Sequence, residues 1–203
     1  MARVSADTKH ATRERLLEAA AREFARRGLE RANIDAISHA AGFAKGTIYN
    51  YFASKEELFL AVVDEACARA TASASPPPPQ APARDRLQVT LAAFCAWAGA
   101  NEGFARVLVR ECLMGTPKLQ ARMAGAEEPL LAELEAILRD GSSRGELRDD
   151  LSPELLALAL AGLTDLALAQ HWASDVTSPA LDQIPELVLS LLLDAHSPAT
   201  TAS

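Results

Sequence analysis

Residues 34–58 read IDAISHAAGFAKGTIYNYFASKEEL. Asn33 stands just ahead of them as a helix cap, and Ile34, Ile37 and Ala41 share one face of a short helix that Gly42 ends. A second short helix is predicted from about Ala44 to Phe52. Its Ile48 and Phe52, spaced i and i+4, point inward and fix it on its neighbours. Gly42 permits a left-handed backbone, so the chain reverses in few residues. Two short helices across a tight turn make helix-turn-helix geometry, whose second helix enters the major groove of duplex DNA. Ala44 and Gly46 are small enough for the helix start to approach a sugar-phosphate rail, where free amides favour a phosphate. Lys45 and Lys55 put a base at either end, Thr47 offers a hydroxyl, and Tyr49 and Tyr51 pair a ring with a polar tip. Taken alone, the pattern also suits two core-packing helices of any all-helical protein.

Outward from this stretch nearly everything reads as helix, and alternating strand-type runs are scarce. Thr8 is placed to cap a helix to about Arg27, with Leu16, Leu17, Ala20 and Phe24 as its apolar stripe and Gly28 as its stop. Ser54, with Glu57 three residues on, opens a longer helix to about Thr71 through a capping box. Five of eleven prolines fall at positions 76–82, which predicts a stiff exposed connector. Further helices are expected over Arg84–Gly99, Glu102–Met114 and Pro117 to about Gly141, the last kinked or split around Gly125 and Pro129. Ser152-Pro153-Glu154 starts a helix to about Trp172, and Ile184-Pro185-Glu186 starts the last, to about Ala195. Residues 197–203 read as a disordered tail. The fold class is all-α, with about nine helices: an N-terminal helix-turn-helix domain over 8–54 and a C-terminal helical bundle over 55–196.

The last two long helices are leucine-rich on more than one face, and a helix apolar all round must be covered on several sides. Pairing with a second copy in a two-fold four-helix interface covers them, with Leu156, Leu160, Leu163, Leu187, Leu191 and Leu192 as the contact set. A central helix of a monomeric bundle is the other arrangement that suits the pattern.

Composition narrows the classes further. The chain has 203 residues, 49% apolar and 23% charged, with a net charge of −7. Residues 1–55 hold ten Lys/Arg against six Asp/Glu, a local +4; residues 56–203 hold ten against twenty-one, a local −11. A basic head on an acidic body suggests that only the head meets a polyanion. The charge-free apolar runs Leu87–Asn101 and Leu155–Thr164 fall short of the ~18 residues of a membrane span, and Met1–His10 has no signal-like core. Three cysteines without a C-x-x-C argue against a disulfide scaffold or zinc module and fit a cytoplasmic protein. Nucleophile-elbow, phosphate-loop and H-E-x-x-H patterns are missing, so neither an enzyme nor a bound cofactor or metal is expected.

Residues 12–63, TRERLLEAAAREFARRGLERANIDAISHAAGFAKGTIYNYFASKEELFLAVV, resemble the N-terminal domain of the TetR/AcrR family of bacterial transcriptional regulators. The run from Gly42 through Lys45-Gly46-Thr47-Ile48-Tyr49, Tyr51-Phe52 and Ser54-Lys55-Glu56-Glu57-Leu58 carries the likeness, over about a quarter of the chain. Residues 84–172 are similar, more weakly, to the C-terminal domains of AefR-like members. The resemblance implies that Ala44, Lys45, Gly46, Thr47, Tyr49 and Asn50 lie at the recognition helix, that Tyr51 and Lys55 grip backbone phosphates, and that Asn33 caps its helix and donates to a phosphate. Phe43 stands where the family more often has Val, and Ala44 where it has Ser or Thr, which removes one hydroxyl contact.

It also implies a dimer on double-stranded operator DNA, controlled by a small-molecule effector and most often repressing. The expected effector is hydrophobic or aromatic, within Phe94, Trp97, Phe104, Leu108, Met123, His171 and Trp172, with Cys95, Cys112, Asn101 and Gln170 as further polar candidates. The alternative is a helical small-molecule-binding or adaptor protein without operator binding.

Overall fold

The chain enters its first helix early, because Leu16, Leu17, Ala20 and Phe24 recur at helical spacing and are all fully buried. The computed structural model describes residues 6–73, 77–173 and 179–193. Among these there is no strand. The helices are α1 (Ala6–Arg31), α2 (Ile34–Ala40), a single 3-10 turn (Thr47–Asn50), α3 (Lys55–Ala72), α4 (Ala83–Ala100), α5 (Glu102–Met114), α6 (Pro117–Ser143), α7 (Pro153–Ala173) and α8 (Ile184–Leu193).

The head is α1, α2, the 3-10 turn and the first half of α3. Helix α1 starts ahead of the expected cap: Thr8 lies inside it, and its carbonyl accepts from the Thr12 hydroxyl at 2.8 Å. Gly28 does interrupt it, at φ 70° and ψ 171°, and a short turn through Arg31 follows. Phe24 meets Phe59 of α3 edge-on, ring centroids 5.2 Å apart, and this pair ties α1 to α3. Asn33 caps α2 as expected: its Oδ1 accepts from the backbone N–H of Asp35 at 2.8 Å and of Ala36 at 3.3 Å. Replacing it with Ala is expected to lower stability by about 1 kcal/mol and the melting temperature by about 2–4 °C, measured by thermal unfolding under far-ultraviolet circular dichroism. Ser54 caps α3 by accepting from Glu57 N–H at 3.1 Å, while the Glu57 carboxylate accepts from Ala53 N–H at 2.6 Å.

One head element differs from expectation. The predicted helix from Ala44 to Phe52 is instead a turn followed by one 3-10 turn over Thr47–Asn50. The cause is Gly46, which sits at φ 100° and ψ −18°, a left-handed conformation from which an α-helix cannot propagate. Ile48 and Phe52 are nonetheless buried, as their spacing requires.

The body is α4 to α8 with the second half of α3. Of the described part of the proline run, Pro77 is buried while Pro78, Pro79, Gln80 and Pro82 are exposed; residues 78–81 form a turn closed by Ala81 N–H donating to Pro78 O at 3.1 Å, and Pro82 is extended. Pro76 and the 197–203 tail lie outside the described residues. Helix α4 takes its N-terminal partner from the far connector, where the Glu146 carboxylate accepts from Ala83 N–H at 2.7 Å. Thr116 and Pro117 open α6, which runs through Pro129 as one helix rather than two.

Head and body join chiefly through α1 and α5. A Cβ on Gly103 would come within 3.2 Å of Arg22 N, so the two helices touch at backbone distance. Arg110 of α5 donates to the Phe24 carbonyl at 2.9 Å, next to the Gly28 break.

Helix α7 needs a separate statement. Counting the whole helix rather than its charge-free run, it is long and apolar enough to cross a membrane by length and composition, contrary to expectation. Its packing gives another reason for the leucines. Leu156, Leu160, Thr164 and Leu168 are buried on one face, against α5, α6 and α8. Leu155, Leu158 and Leu166 lie on the opposite face, 53%, 61% and 56% exposed.

Candidate nucleic-acid interface and effector cavity

Beyond Gly42, at φ 76°, the chain turns outward and presents residues 44–50 on the surface of the head. Ala44, Lys45 and Asn50 are exposed, Gly46 and Thr47 half-buried, and Tyr49 is 56% exposed although large and aromatic. Ile48 between them is buried and anchors the turn. Tyr51 is half-buried and packs against the core.

The two lysines are held within the head. Lys45 Nζ lies 2.5 Å from Asp35 Oδ2, and this bond holds the ammonium above its ordinary pKa. Lys55 Nζ donates to the Glu30 carbonyl at 2.9 Å. Neither side chain is buried, so a phosphate competes with these partners at little desolvation cost. Sequence reasoning missed Asp35 as the Lys45 partner, and it missed two arginines of α1. The Arg15 guanidinium stacks 4.8 Å from the Phe43 ring centroid and Arg13 lies 5.7 Å from that of Phe52. Arg15 Nη2 also lies 2.7 Å from where a Gly42 Cβ would be. Aromatic residues one turn away from basic ones in sequence gave no signal of that stacking, because α1 is more than twenty residues distant.

A cavity of about 250 Å³ opens in the body between α3, α4, α5, α6 and α7. Of the predicted pocket residues it takes Phe94 and Leu108, together with Cys112. The other expected members lie elsewhere. Trp97 is buried behind Phe94, the rings stacked at 5.5 Å. Phe104 lines the cleft between α1 and α5 under Arg69, 4.4 Å from its ring. Met123 is buried beside α3, and Trp172 lies 5.9 Å from the Arg106 guanidinium. His171 is turned away, its Nδ1 donating to Pro179 O at 2.9 Å. Asn101 donates to Trp97 O and Gln170 is exposed. A large apolar side chain on a helix is common to core and cavity, so its type alone could not separate the two.

Thr90, Glu133 and Asp165 line the cavity and were not anticipated. Asp165 did leave a trace: it is the one charge inside the leucine-rich stretch 155–168. Nearby, burial pushes the Cys95 thiol up to about 12, with the Asp165 charge acting in the same direction. The folded protein is therefore expected to leave Cys95 unmodified by an alkylating reagent at pH 8, and to expose it only on unfolding, as read by mass spectrometry. Among the described residues no His/Cys/Asp/Glu group is arranged to hold a metal ion.

The predicted dimer residues also divide. Leu156 and Leu160 are 2% and 0% exposed and belong to the protomer's own core, a correction to the expected contact set. The expectation failed because the leucines cover the whole helix circumference and sequence cannot say which face turns inward. Leu163 and Leu192 are half-buried, whereas Leu187 and Leu191 are exposed.

A helix-turn-helix head on an all-helical body is the architecture of a one-chain DNA-binding regulator. Residues 16–62 match the model of bacterial regulatory proteins of the tetR family, and residues 82–184 match the tetracyclin repressor-like C-terminal domain. The chain is 31% identical over 160 residues to the HTH-type transcriptional repressor SCO4008 of Streptomyces coelicolor, covering 78% of this chain and 79% of that one. Two solved structures share the fold at lower identity. The TetR family regulator PfmR of Thermus thermophilus aligns with TM-score 0.72 and 21% identity over 88% of this chain and 97% of its own. The regulator FadR of Bacillus subtilis, solved with stearoyl-CoA, aligns with TM-score 0.69 and 22% identity over 90% and 98%. The chain belongs to the TetR family of transcriptional regulators.

Proposed function

We propose that this protein is a homodimeric repressor that holds a pseudo-palindromic operator through residues 33 and 44–55 and releases it when a small molecule enters the body cavity. The observation that carries the reading is the outward row of exposed Lys45, Tyr49 and Asn50 with half-buried Thr47 between them, set on a turn anchored by buried Ile48. Phosphate contacts from the lysines supply affinity, and Tyr49 and Asn50 reach base edges. In this reading the DNA-binding unit spans 8–54 and the effector-binding and dimerisation unit 55–196, and the protein works in the cytoplasm beside its DNA.

The dimer face is the exposed stripe Leu155, Leu158 and Leu166 of α7 with Leu187 and Leu191 of α8. A row of large apolar groups at i, i+3 and i+4 spacing on adjacent helices supports a two-fold four-helix contact. Such a dimer would carry its two recognition turns to half-sites about 34–36 Å apart. The relative from Streptomyces coelicolor is named a repressor, which supports the sign of the regulation.

The coupling route is α5. Its Leu108 and Cys112 line the cavity, while Arg110 and Gly103 on the same helix contact α1. A ligand that favours a displaced α5 would therefore shift the head, and it shifts the equilibrium only by its preference for that state.

The test is fluorescence anisotropy with a duplex from the protein's own upstream region at several salt concentrations. Binding that weakens steeply with salt, with a log–log slope of about −5 or steeper for six or more phosphate contacts, is expected. Absence of binding to any upstream duplex at low salt would leave the reading of a helical ligand-binding or adaptor protein.

A further inference from the structure

We propose that the effector is a lipophilic cation, an ammonium or amidinium group on a compact apolar or aromatic body, seated with its charge toward Glu133 and Asp165. The inference rests on the cavity being the effector site, as proposed above, and assigns the chemistry that the site selects.

Three features of the cavity support it. The wall is apolar over most of its extent, with Phe94, Leu108, Leu113 and Leu130 facing in, so an apolar body is favoured. The two ionisable groups that border it, apart from thiols, are carboxylates: Glu133 from α6 and Asp165 from α7. No Lys, Arg or His borders it among the described residues. A carboxylate or phosphate ligand would thus be brought beside two like charges with nothing opposite to receive it.

Glu133 has no ion pair among the described residues. Burial raises its carboxyl above the ordinary range, with the Arg86 charge acting the other way. Arg86 does not neutralise it by contact, because its guanidinium is bound to Asp140 at 2.5 Å. A cation within reach of Glu133 would recover the stabilisation that burial removes. Thr90 adds a second polar mark. It is 5% exposed, its Oγ1 has no hydrogen-bond partner, and it borders the same cavity. A buried hydroxyl left without a partner is uncommon, and an ammonium N–H is a donor it lacks. Thr164, the other buried hydroxyl on the wall, is already committed to Leu160 O at 2.7 Å.

The size of the cavity, about 250 Å³, sits just below the ~300–1,000 Å³ usual for small-molecule sites and suits one ring with a short chain. This assignment separates the protein from the structurally similar FadR of Bacillus subtilis, which was solved with stearoyl-CoA, a polyanionic thioester.

The experiment uses three probes on one skeleton: 4-phenylbutylammonium, 4-phenylbutanol and 4-phenylbutanoate, titrated calorimetrically into the full-length protein at pH 7. The ammonium is expected to bind about tenfold or more tighter than the alcohol, with the carboxylate weakest. Glu133→Gln is expected to remove most of the ammonium's advantage over the alcohol, and Thr90→Val, close to isosteric, to weaken the ammonium a few-fold. Melting curves of both variants establish that they fold. If the carboxylate binds as well as the ammonium, or Glu133→Gln leaves the order intact, the charge assignment is overturned while the cavity remains an effector site. If none of the three binds, both the assignment and the cavity reading fall.

Discussion

Tyr49→Ala is expected to reduce operator affinity by roughly 100-fold without changing the melting temperature or the oligomeric state. Tyr49 is 56% exposed, so its loss is expected to leave folding intact. A side chain of this kind at a base edge or phosphate contributes ~1–1.5 kcal/mol per half-site. A dimer carries the change twice, so the loss is ~2–3 kcal/mol, or about two orders of magnitude in the dissociation constant. Anisotropy titrations of both proteins on the same duplex, with melting curves beside them, provide the check. An unchanged affinity would mean that the 44–50 turn does not face DNA.

The second large effect belongs to the outward leucines. Leu187→Glu combined with Leu191→Glu is expected to convert the proposed dimer to monomer at micromolar concentration, with the dimer dissociation constant raised roughly 1,000-fold or more. Both side chains lie on the protomer surface, 42% and 57% exposed, so the folded monomer loses little. In a two-fold interface each carboxylate is buried twice, and burial of an unpaired charge costs several kcal/mol even after relaxation. Operator binding should fall with dimerisation, since one head alone meets one half-site. Sedimentation velocity measures the first effect and anisotropy the second. A dimer that survives the double substitution would place the contact on another face.

Much of the head was legible because its determinants are local. Asn33, Gly42, Ser54 with Glu57, and the inward pair Ile48 and Phe52 each act within a few residues of themselves, so spacing alone locates them. The 3-10 turn escaped because the composition around Gly46 suits an α-helix, while the left-handed backbone that Gly46 adopts stops one. The body was legible only as helices. Which of its apolar residues line the cavity depends on the rotation of five helices about one another, and no local pattern encodes that. Phe94 and Trp97 show the difficulty: three residues apart and stacked, one borders the cavity and the other is packed behind it. The same holds for α7, where Leu156 and Leu158 point to opposite sides. Glu133 and Thr90 carried no signal at all, since a glutamate on a long amphipathic helix and a threonine in an apolar one are ordinary.

Long-range polar contacts were equally invisible. Arg110 donating to the Phe24 carbonyl joins positions far apart in the chain, yet it fixes α5 against the head and gives the proposed ligand response its route.

The most direct measurement is selection of bound sequences from a random duplex pool by the full-length protein. Enrichment of an inverted repeat, with half-site centres about one helical turn apart and two protein chains per duplex by native mass spectrometry, is the predicted result. Enrichment of a single unrepeated motif, or of none, would contradict the account of two recognition turns carried by one leucine-faced dimer.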